Sequence, residues 1–363
     1  AQELGLHRTM EKLPLTKEMI ESRKRLWYCV YITDRWNCAC MGRPLAISDA
    51  DCDIELPDVE EGGKDYSVFV NFIKLSGILG EILSRICSPK AKARGHKSIH
   101  MYHTVQSIHA MLNDWSADLP PHLRIDPETT VASKITCIDK AGPLMMCYHV
   151  VLILLHRTFL VSNKDEILPE LFSMATESCA ASAKSIIDIA RILSPTTIAH
   201  FGWNFAGYAV FQASLIHLYN STNPNPELAN LSRDYIQISV EECIKPLINN
   251  ISNAQKNILN ILQAIMDLTG VNKEGSRPSN FVSRSHSTNN DPYSTLKPGQ
   301  SSAMSMHTIV SNWESNVNTS SAGNSIPLSE SDMFAPNNAS TAAWQSLFAS
   351  TAAPFIGDDD NWQ

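Results

Sequence analysis

The stretch from Ser22 to Pro57 constrains the fold more than any other part of this sequence, because it predicts both a long helix and the end of that helix. Apolar residues cover nearly the whole circumference of the segment Leu26–Met41. A helix of this kind is normally buried within a larger helical body. Thr16 is placed to cap its start near Lys17, and Gly42 to end it in the left-handed conformation.

Several charged residues lie within this apolar stretch or beside it, where an unpaired charge is costly. We therefore predict a buried or half-buried network of ion pairs at the centre of the fold. Its candidate members are Arg23, Arg25, Asp34, Arg35 and Arg43. An acidic run follows Pro44, which stops the helix from resuming. We predict that this run, which contains Asp49, Asp51, Asp53 and Glu55, is a solvated loop that faces the arginines.

The same stretch, KRLWYCVYITDRWNCACMGRPLAISDADCDIELP, resembles the signature of the middle regulatory domain of fungal zinc-cluster transcription factors. Three further pieces resemble that domain in the same order: AQELGLHR at 1–8, WSADLPPHLR at 115–124 and LLHRTFL at 154–160. In the last piece Thr158 stands where the family usually has proline. The resemblance singles out Arg25, Trp27, Asp34, Arg35, Gly42, Arg43, Pro44, Asp51 and Asp53 as signature or regulatory residues.

The resemblance implies a nuclear, non-enzymatic protein that controls transcription by RNA polymerase II. Members of the family bind DNA through an N-terminal cluster of six cysteines that holds zinc, and no such cluster is present in this sequence. We therefore expect no cofactor in this chain and DNA contact only through the absent module. The implied partners are transcriptional coactivators or corepressors, a small-molecule inducer and a second copy in a homodimer, with no membrane.

Helical periodicity continues downstream, and no stretch shows the period-two alternation of strands. The predicted helices cover 66–87, 98–117, 136–160, 168–193, 198–219 and 228–268, with loops at 58–65 and 88–97. This pattern predicts an all-α bundle of roughly seven or more helices, which we assign to residues 1–270 as one regulatory domain. Residues 1–10 resemble the last turns of a helix without an initiator methionine, so the chain is expected to be a fragment.

The composition changes from residue 271 onwards. Residues 281–340 contain 27 Ser, Thr or Asn among 60 and only two basic residues, which predicts disorder. All 29 Lys and Arg precede residue 298, so the end of the chain is acidic within a net charge of −8. Isolated aromatic residues beside acids are typical of activation segments. We predict such a segment in 271–363, carried by Trp344, Phe348, Phe355, Asp358, Asp359, Asp360 and Trp362. A passive disordered tail is the alternative.

The nine cysteines are odd in number and form no CxxC pair, which predicts free, buried thiols in a reducing compartment. The most apolar run, 144–155, is too short to cross a bilayer, and we predict no transmembrane span.

His96, His100 and His103 share one helical stripe but lack a further ligand, so we favour a solvent-facing stripe over zinc. The acidic run after Pro44 lacks the glycine of a calcium loop.

No catalytic motif is present, and His149 and His156 are interpreted as hydrogen-bonded core residues. We therefore predict that the helical body regulates the tail, in response to a metabolite or corepressor bound near Trp27, Arg43, Trp203 and Phe205. Two other functions stay open. One is a helical enzyme of lipid or terpenoid metabolism, and the other is an interaction scaffold without a sensing role.

Overall fold

The computed structural model describes residues 1–9, 14–95, 98–125, 135–160 and 167–249, and these residues form a helical body. The α-helices, numbered in chain order, are α1 Lys17–Met41, α2 Ser67–Ile82, α3 Pro89–Ala93, α4 Ile99–Ala117, α5 Ile135–Leu160, α6 Pro169–Ile192, α7 Pro195–Phe201, α8 Tyr208–Asn220, α9 Pro226–Ile238 and α10 Lys245–Asn249. The all-α prediction is confirmed for the described residues. The boundary predicted at residue 270 and the whole segment 271–363 lie outside them.

Shorter elements connect these helices. The π-helical turns are Leu83–Cys87, Trp203–Gly207 and Ser239–Ile244, and the 3-10 turns are Asp49–Asp51 and Pro121–Leu123. A two-stranded antiparallel hairpin, β1 Glu60–Glu61 and β2 Lys64–Asp65, stands where we predicted a loop. Gly62 and Gly63 make this hairpin possible, since both have the positive φ, 58° and 75°, that a tight two-residue turn requires.

Helix α5 occupies the middle of the body, where it packs along α6 and also contacts α2, α4 and α8. Most of its side chains from Leu144 onwards are fully buried, because a helix in this position meets a neighbour on every side. Gly142 permits the close approach at one end: a Cβ there would lie 2.9 Å from Leu193. The most apolar run of the sequence, 144–155, thus lies in the core helix.

Two stretches, Ser67–Cys87 and Ile138–Leu160, are long and apolar enough to cross a membrane by length and composition. In the structure 61% and 78% of their most apolar windows are buried inside the protein. Burial against other helices accounts for their hydropathy, since core helices pass the same test.

The predicted helix over 198–219 is wrong as a single element. It is divided at Gly202, whose φ of 129° is incompatible with a helix, into α7, a π-helical turn and α8. The sequence Ser194-Pro195 also starts α7 earlier than predicted, with the Ser194 side chain accepting a hydrogen bond from the Thr197 N–H. The prediction counted apolar spacing and overlooked the capping residues.

Two other boundaries differ from the prediction. Residues 1–9 form hydrogen-bonded turns, with Gly5 at φ 62°, instead of the end of a helix. At the other end, we predicted that the helix over 228–268 is interrupted near Pro246, but Pro246 itself lies in the first turn of α10, where proline is tolerated. The break is the π-helical turn Ser239–Ile244 before it, and residues beyond 249 lie outside the described part.

Helix α1 is buried on one side only, which corrects our prediction of burial all round. Trp27, Trp36 and Arg35 are fully buried, whereas Leu26 is 54% exposed and Val30 is 37% exposed. The apolar spacing of Leu26 and Val30 therefore marks the outer face. Cys29 lies on the same outer face, so the prediction that this thiol is buried is also wrong. The eight cysteines that the structure describes are free, as predicted.

Candidate functional site

The candidate site is the junction between α1 and the chain that follows it. The Thr16 hydroxyl accepts a hydrogen bond from the Met19 N–H at 3.3 Å, and Gly42 takes a φ of 64°, so α1 has both predicted caps. After Gly42 the chain turns back as residues 43–58, which we call the return segment. Its successive residues contact positions progressively nearer the start of α1, which makes the segment a strap along the helix.

Arg35 holds the near end of this strap. Its side chain is fully buried, and Nη2 donates to Asp49 Oδ1 at 2.7 Å while Nη1 donates to Asp34 Oδ2 at 3.2 Å. The guanidinium also lies 3.4 Å from the ring centre of Tyr31, in a cation–π contact. Asp34 in turn accepts hydrogen bonds from the backbone N–H groups of Ala46 and Ile47 at 3.1 and 3.3 Å. We call Arg35, Asp34 and Asp49 the clamp.

A second ion pair holds the far end of the strap. Lys24 contacts Glu21 at 2.9 Å and Glu55 at 3.4 Å, and Glu21 is only 2% exposed. Glu21 also accepts the Asp58 N–H at 2.8 Å, which ties the end of the return segment to the first turns of α1. Between the two ends, the Tyr28 hydroxyl donates to the Ile54 carbonyl at 3.1 Å. Burial raises the pKa of Tyr28 to about 12, so this hydroxyl keeps its proton.

Arg25 points away from the clamp and binds the hairpin instead. Its guanidinium pairs with Glu61 at 2.5 Å and lies 4.8 Å from the ring centre of Tyr66. Arg23 donates to the Leu4 carbonyl at 3.0 Å. Buried and half-buried ion pairs are therefore present as predicted, but they do not form one network. The arginines project from different faces of one helix, so each finds separate partners.

The remaining predicted positions are dispersed. Arg43 and Asp51 are exposed and form no ion pair within the described ranges. Asp53 reaches residues 1–9, where it pairs with Arg8 at 3.1 Å and accepts the Thr9 N–H at 2.8 Å. The Pro44 carbonyl accepts a hydrogen bond from the Cys38 thiol at 3.2 Å. Thus Arg43, which the sequence made a central candidate, lies outside the clamp.

The residues for which we predicted one ligand site near Trp27 lie in different places. Trp27 packs beside His7, with ring centres 5.6 Å apart. Phe205 packs two turns further along α1, where it contacts Trp36 with ring centres 5.7 Å apart. Phe72 and Phe201 complete this aromatic cluster, in which the Trp36 indole donates to Ser76 Oγ at 2.9 Å. Trp27 and Phe205 therefore do not line one pocket as predicted, because Phe205 packs on Trp36, nine positions along α1 from Trp27.

The downstream motifs hold the body together. Trp115 donates to the Asn71 carbonyl at 3.0 Å, which joins α4 to α2, and it stacks on Tyr148 of α5. Arg124 closes the turn after α4 by donating to the Leu119 carbonyl at 2.7 Å. In the third motif, Arg157 of α5 contacts Gln212 of α8, and both are buried. These contacts give the quoted motifs a structural role.

The histidines form no metal centre in the portion that the structure describes, where no three His, Cys, Asp or Glu side chains come together. His100 and His103 are exposed on α4, and His96 lies outside the described residues. His156 is fully buried, as predicted, with Nε2 3.0 Å from Nδ1 of His109. Burial lowers the pKa of His156 to about 3, so its imidazole is neutral near pH 7. His149 is only partly buried.

Sequence reasoning missed the Glu21–Lys24 pair. The spacing of three between an acid and a base on a helix is the signal that identifies such a pair. It was overlooked because the predicted network included the arginines on either side of Lys24 and left out Lys24 itself. The predicted tail residues, from Trp344 to Trp362, lie outside the described residues.

Comparison with known proteins finds one family model that matches the first part of the chain. Residues 1–117 match the fungal specific transcription factor domain, so this part of the chain carries that domain and the resemblance stated from the sequence is confirmed there. The match covers α1, the return segment, the hairpin and α2 to α4. No solved structure matches the chain significantly.

Curated relatives that match the chain are named as transcription factors or activators. The chain is 24% identical over 253 residues to cutinase transcription factor 1 alpha of Fusarium vanettenii, which covers 65% of this chain and 26% of that protein. It is 26% identical over 211 residues to the transcriptional activator protein acu-15 of Neurospora crassa, covering 54% of this chain and 22% of the relative. Activator of stress genes 1 of Saccharomyces cerevisiae is 25% identical over 311 residues, which cover 77% of this chain and 31% of that protein. The chain thus spans less than a third of the length of each.

Proposed function

We propose that this chain is the regulatory part of a nuclear transcription factor that controls transcription by RNA polymerase II. The match of residues 1–117 to the fungal specific transcription factor domain carries the proposal. The printed names of the relatives support it, since they are transcription factors and activators. The full chain has a net charge of −8, and all its Lys and Arg precede residue 298, so its acidic end favours a regulatory role over direct contact with DNA.

In this proposal residues 271–363 are the activating segment. The bulky groups Trp344, Phe348, Phe355 and Trp362 are separated by three to six residues, and three consecutive acids, 358–360, precede the last of them. Charge keeps such aromatic residues solvated until a groove on a partner receives them. The partner proposed for this segment is a transcriptional coactivator. A corepressor is the partner proposed for the state in which the helical body hides the segment.

The helical body governs access to that segment. The polar anchors of the strap along α1 include the clamp, the Tyr28 hydrogen bond, the Lys24–Glu55 pair and the hydrogen bond from the Asp58 N–H to Glu21. A segment held by a few polar contacts can adopt a second arrangement for a modest free energy, and a ligand that favours one arrangement shifts the balance. The strap is therefore the element through which we propose that an inducer acts on the body.

A reporter experiment tests the proposal. The full chain and residues 271–363 are each fused to a foreign DNA-binding domain and expressed in yeast with a matching reporter gene. We expect residues 271–363 alone to activate the reporter more strongly than the full chain, because the helical body restrains them. Replacing Trp344, Phe348, Phe355 and Trp362 by alanine should abolish activation in both fusions.

A control variant carries alanine substitutions in the same segment but spares the aromatic residues: Asn337, Asn338 and Ser340 are replaced by alanine in the same fusion. This variant should activate as the parent does. Silence of both parent fusions at equal protein levels would overturn the activating role of the segment. Equal activity of the two fusions would overturn regulation by the body.

A further inference from the structure

A strongly basic stretch of the chain lies where α2 ends and α4 begins. Between Glu81 and Asp114 the sequence contains no acidic residue, whereas the chain as a whole has a net charge of −8. A surface of one charge sign attracts a partner of the opposite sign. The basic residues of this stretch are Arg85, Lys90, Lys92, Arg94 and Lys97.

The fold gathers this stretch around one short helix. Helix α3 packs against the π-helical turn Leu83–Cys87, and the same turn contacts α4. Arg85 on that turn already pairs with Glu81 at 3.1 Å. Lys90 and Arg94 are exposed, and neither forms an ion pair with any residue that the structure describes. One ammonium group and one guanidinium thus face solvent without a counter-charge.

An exposed apolar side chain accompanies these charges. Ile99, the first residue of α4, is 63% exposed. Gly95, with a φ of 76°, turns the chain between α3 and α4, and the Cα atoms of Arg94 and Ile99 are at most about 17 Å apart by chain length. We call Lys90, Arg94 and Ile99 the α3–α4 surface. Cations beside an apolar side chain are complementary to a segment in which acids stand beside aromatic residues.

The chain itself contains such a segment. Residues 298–363 have six acidic residues and no Lys or Arg, so their charge opposes that of the basic stretch. Three of the acids are consecutive, at 358–360, and they lie between Phe355 and Trp362. We propose that residues 355–362 bind the α3–α4 surface of the same chain. The three acids face the two cations, and an aromatic ring of the segment packs on Ile99.

The covalent tether favours this segment over an external polyanion. About 105 residues separate Asn249, where the described body ends, from Phe355. The root-mean-square span of an unstructured chain of that length is about 55 Å, and a body of about 250 residues has a radius of gyration of about 18 Å. Tethering then gives an effective concentration on the order of 1 mM, which populates even a weak contact. A nucleic acid meets the same cations only in competition with this segment.

The contact accounts for restraint of the tail by the body. While Phe355 or Trp362 packs on Ile99, that ring is not available to a groove on a coactivator. Ionic contacts at an exposed surface are weak, so a coactivator that binds the aromatic residues more tightly displaces the body. This regulatory consequence rests on the proposed function, whereas the contact itself does not.

Carbodiimide crosslinking of the full chain, followed by mass spectrometry of its peptides, tests the proposal. The reagent joins a lysine amine directly to a carboxylate, so it reports only groups that meet. We expect crosslinks from Lys90 to the acids at 358–360 in 50 mM salt. Their yield should fall at least fivefold in 500 mM salt, where the Debye length is about 4 Å. Arg94→Glu keeps the Lys90 amine but reverses the charge beside it, so it should lower the yield about fivefold.

Arg233→Glu is the matched control, because Arg233 lies on α9, which packs on α6 and α8. This variant should give the crosslinks of the parent. A charge-swapped protein provides the rescue: its surface carries Lys90→Glu and Arg94→Glu, and its tail carries Asp358→Lys, Asp359→Lys and Asp360→Lys. Crosslinks between the same positions should return, with the roles of amine and carboxylate exchanged.

Three results would overturn the proposal. One is a yield from Lys90 no higher than that from Lys74, an exposed lysine on α2. Another is crosslinks that join two differently isotope-labelled chains, which would make a second copy the occupant. The third is binding of a random-sequence DNA duplex by the full chain that Arg94→Glu abolishes, which would assign the surface to nucleic acid.

The crosslinks and the reporter fusions fail independently. If the crosslinks are absent while the reporter fusions still differ, the α3–α4 assignment fails and the regulatory role stands. If the crosslinks form and both fusions are silent, the contact stands and the regulatory role fails.

Discussion

Arg35 and Asp49 lie 14 positions apart in the sequence, yet their side chains meet at 2.7 Å across the turn that ends α1. The guanidinium is fully buried, whereas the Asp49 carboxylate is 57% exposed. Burying a guanidinium is tolerated only where acceptors surround it, and here Asp34, Asp49 and the face of Tyr31 do so. This contact fixes the direction in which the return segment leaves α1.

Replacing Arg35 by methionine should lower the free energy of unfolding by about 3 kcal/mol. The change leaves Asp34 without its cation in a mostly buried position, and a broken buried pair costs more than an intact pair contributes. Urea denaturation followed by circular dichroism measures the difference. Arg43→Met is the matched control, since Arg43 is exposed and should change stability by less than about 0.5 kcal/mol. Equal effects of the two substitutions would contradict the clamp.

Replacing Gly42 by alanine should destabilise the protein by about 1 kcal/mol. Gly42 has a φ of 64°, and a side chain with a Cβ is strained in that left-handed conformation. Gly42→Asn should cost less, because asparagine tolerates this conformation better than alanine does. Thermal unfolding of the three proteins under one condition gives the order. An alanine variant as stable as the parent would show that α1 ends in another way.

Arg25 and Glu61 should show a coupling energy of about 1 kcal/mol in a double-mutant cycle of Arg25→Ala and Glu61→Ala. Both side chains are about four-fifths buried, at 21% and 19% exposure, so solvent screens the pair only in part. The exposed pair of Arg85 and Glu81 serves as the control cycle and should give about 0.3 kcal/mol. Coupling that is no larger for Arg25 and Glu61 than for the control would remove the link between α1 and the hairpin.

Acidification from pH 7 to pH 5 should destabilise the protein partly through His156. Burial lowers the pKa of His156 to about 3 in the folded protein, below the value of about 6.5 in the unfolded chain. Between these values the unfolded state binds the extra proton, so the stability present above pH 6.5 is lost as the pH falls. His156 then accounts for about 2 kcal/mol of the loss.

The measurement is urea denaturation at both pH values for the parent and for His156→Gln, which cannot titrate in this range. The loss between pH 7 and pH 5 should be about 2 kcal/mol smaller in the variant. His103→Gln is the control, since His103 is exposed on α4, and it should behave as the parent does. An identical pH dependence in the parent and in His156→Gln would show that folding does not lower the pKa of His156.

The positions of most helices could be predicted from the sequence, because capping residues and apolar spacing act locally. Thr16 and Gly42 bound α1 as predicted, and Ser98 caps α4 one residue from the predicted start. The prediction failed where a local signal was overlooked, at Gly202 and at the Gly62-Gly63 turn. Both failures involve a glycine with positive φ, a conformation that apolar spacing does not reveal.

The candidate site was only partly predictable. The sequence indicated that Asp34 and Arg35 need partners, since both lie within an apolar helix. It did not show which acids supply them, because that depends on the path of the return segment. Asp49 reaches Arg35, Glu55 reaches Lys24 and Asp53 reaches Arg8, so one acidic run serves three separate cations.

By itself the sequence determined the helical class, the two ends of α1 and the need for a partner to the buried Arg35, since these follow from neighbouring residues and from the cost of desolvating a charge. Only the tertiary structure decided which side of α1 faces solvent, which arginine is buried and which acid of the return segment it meets. The reason is physical: these properties depend on elements far apart in the chain, whose packing no local pattern encodes.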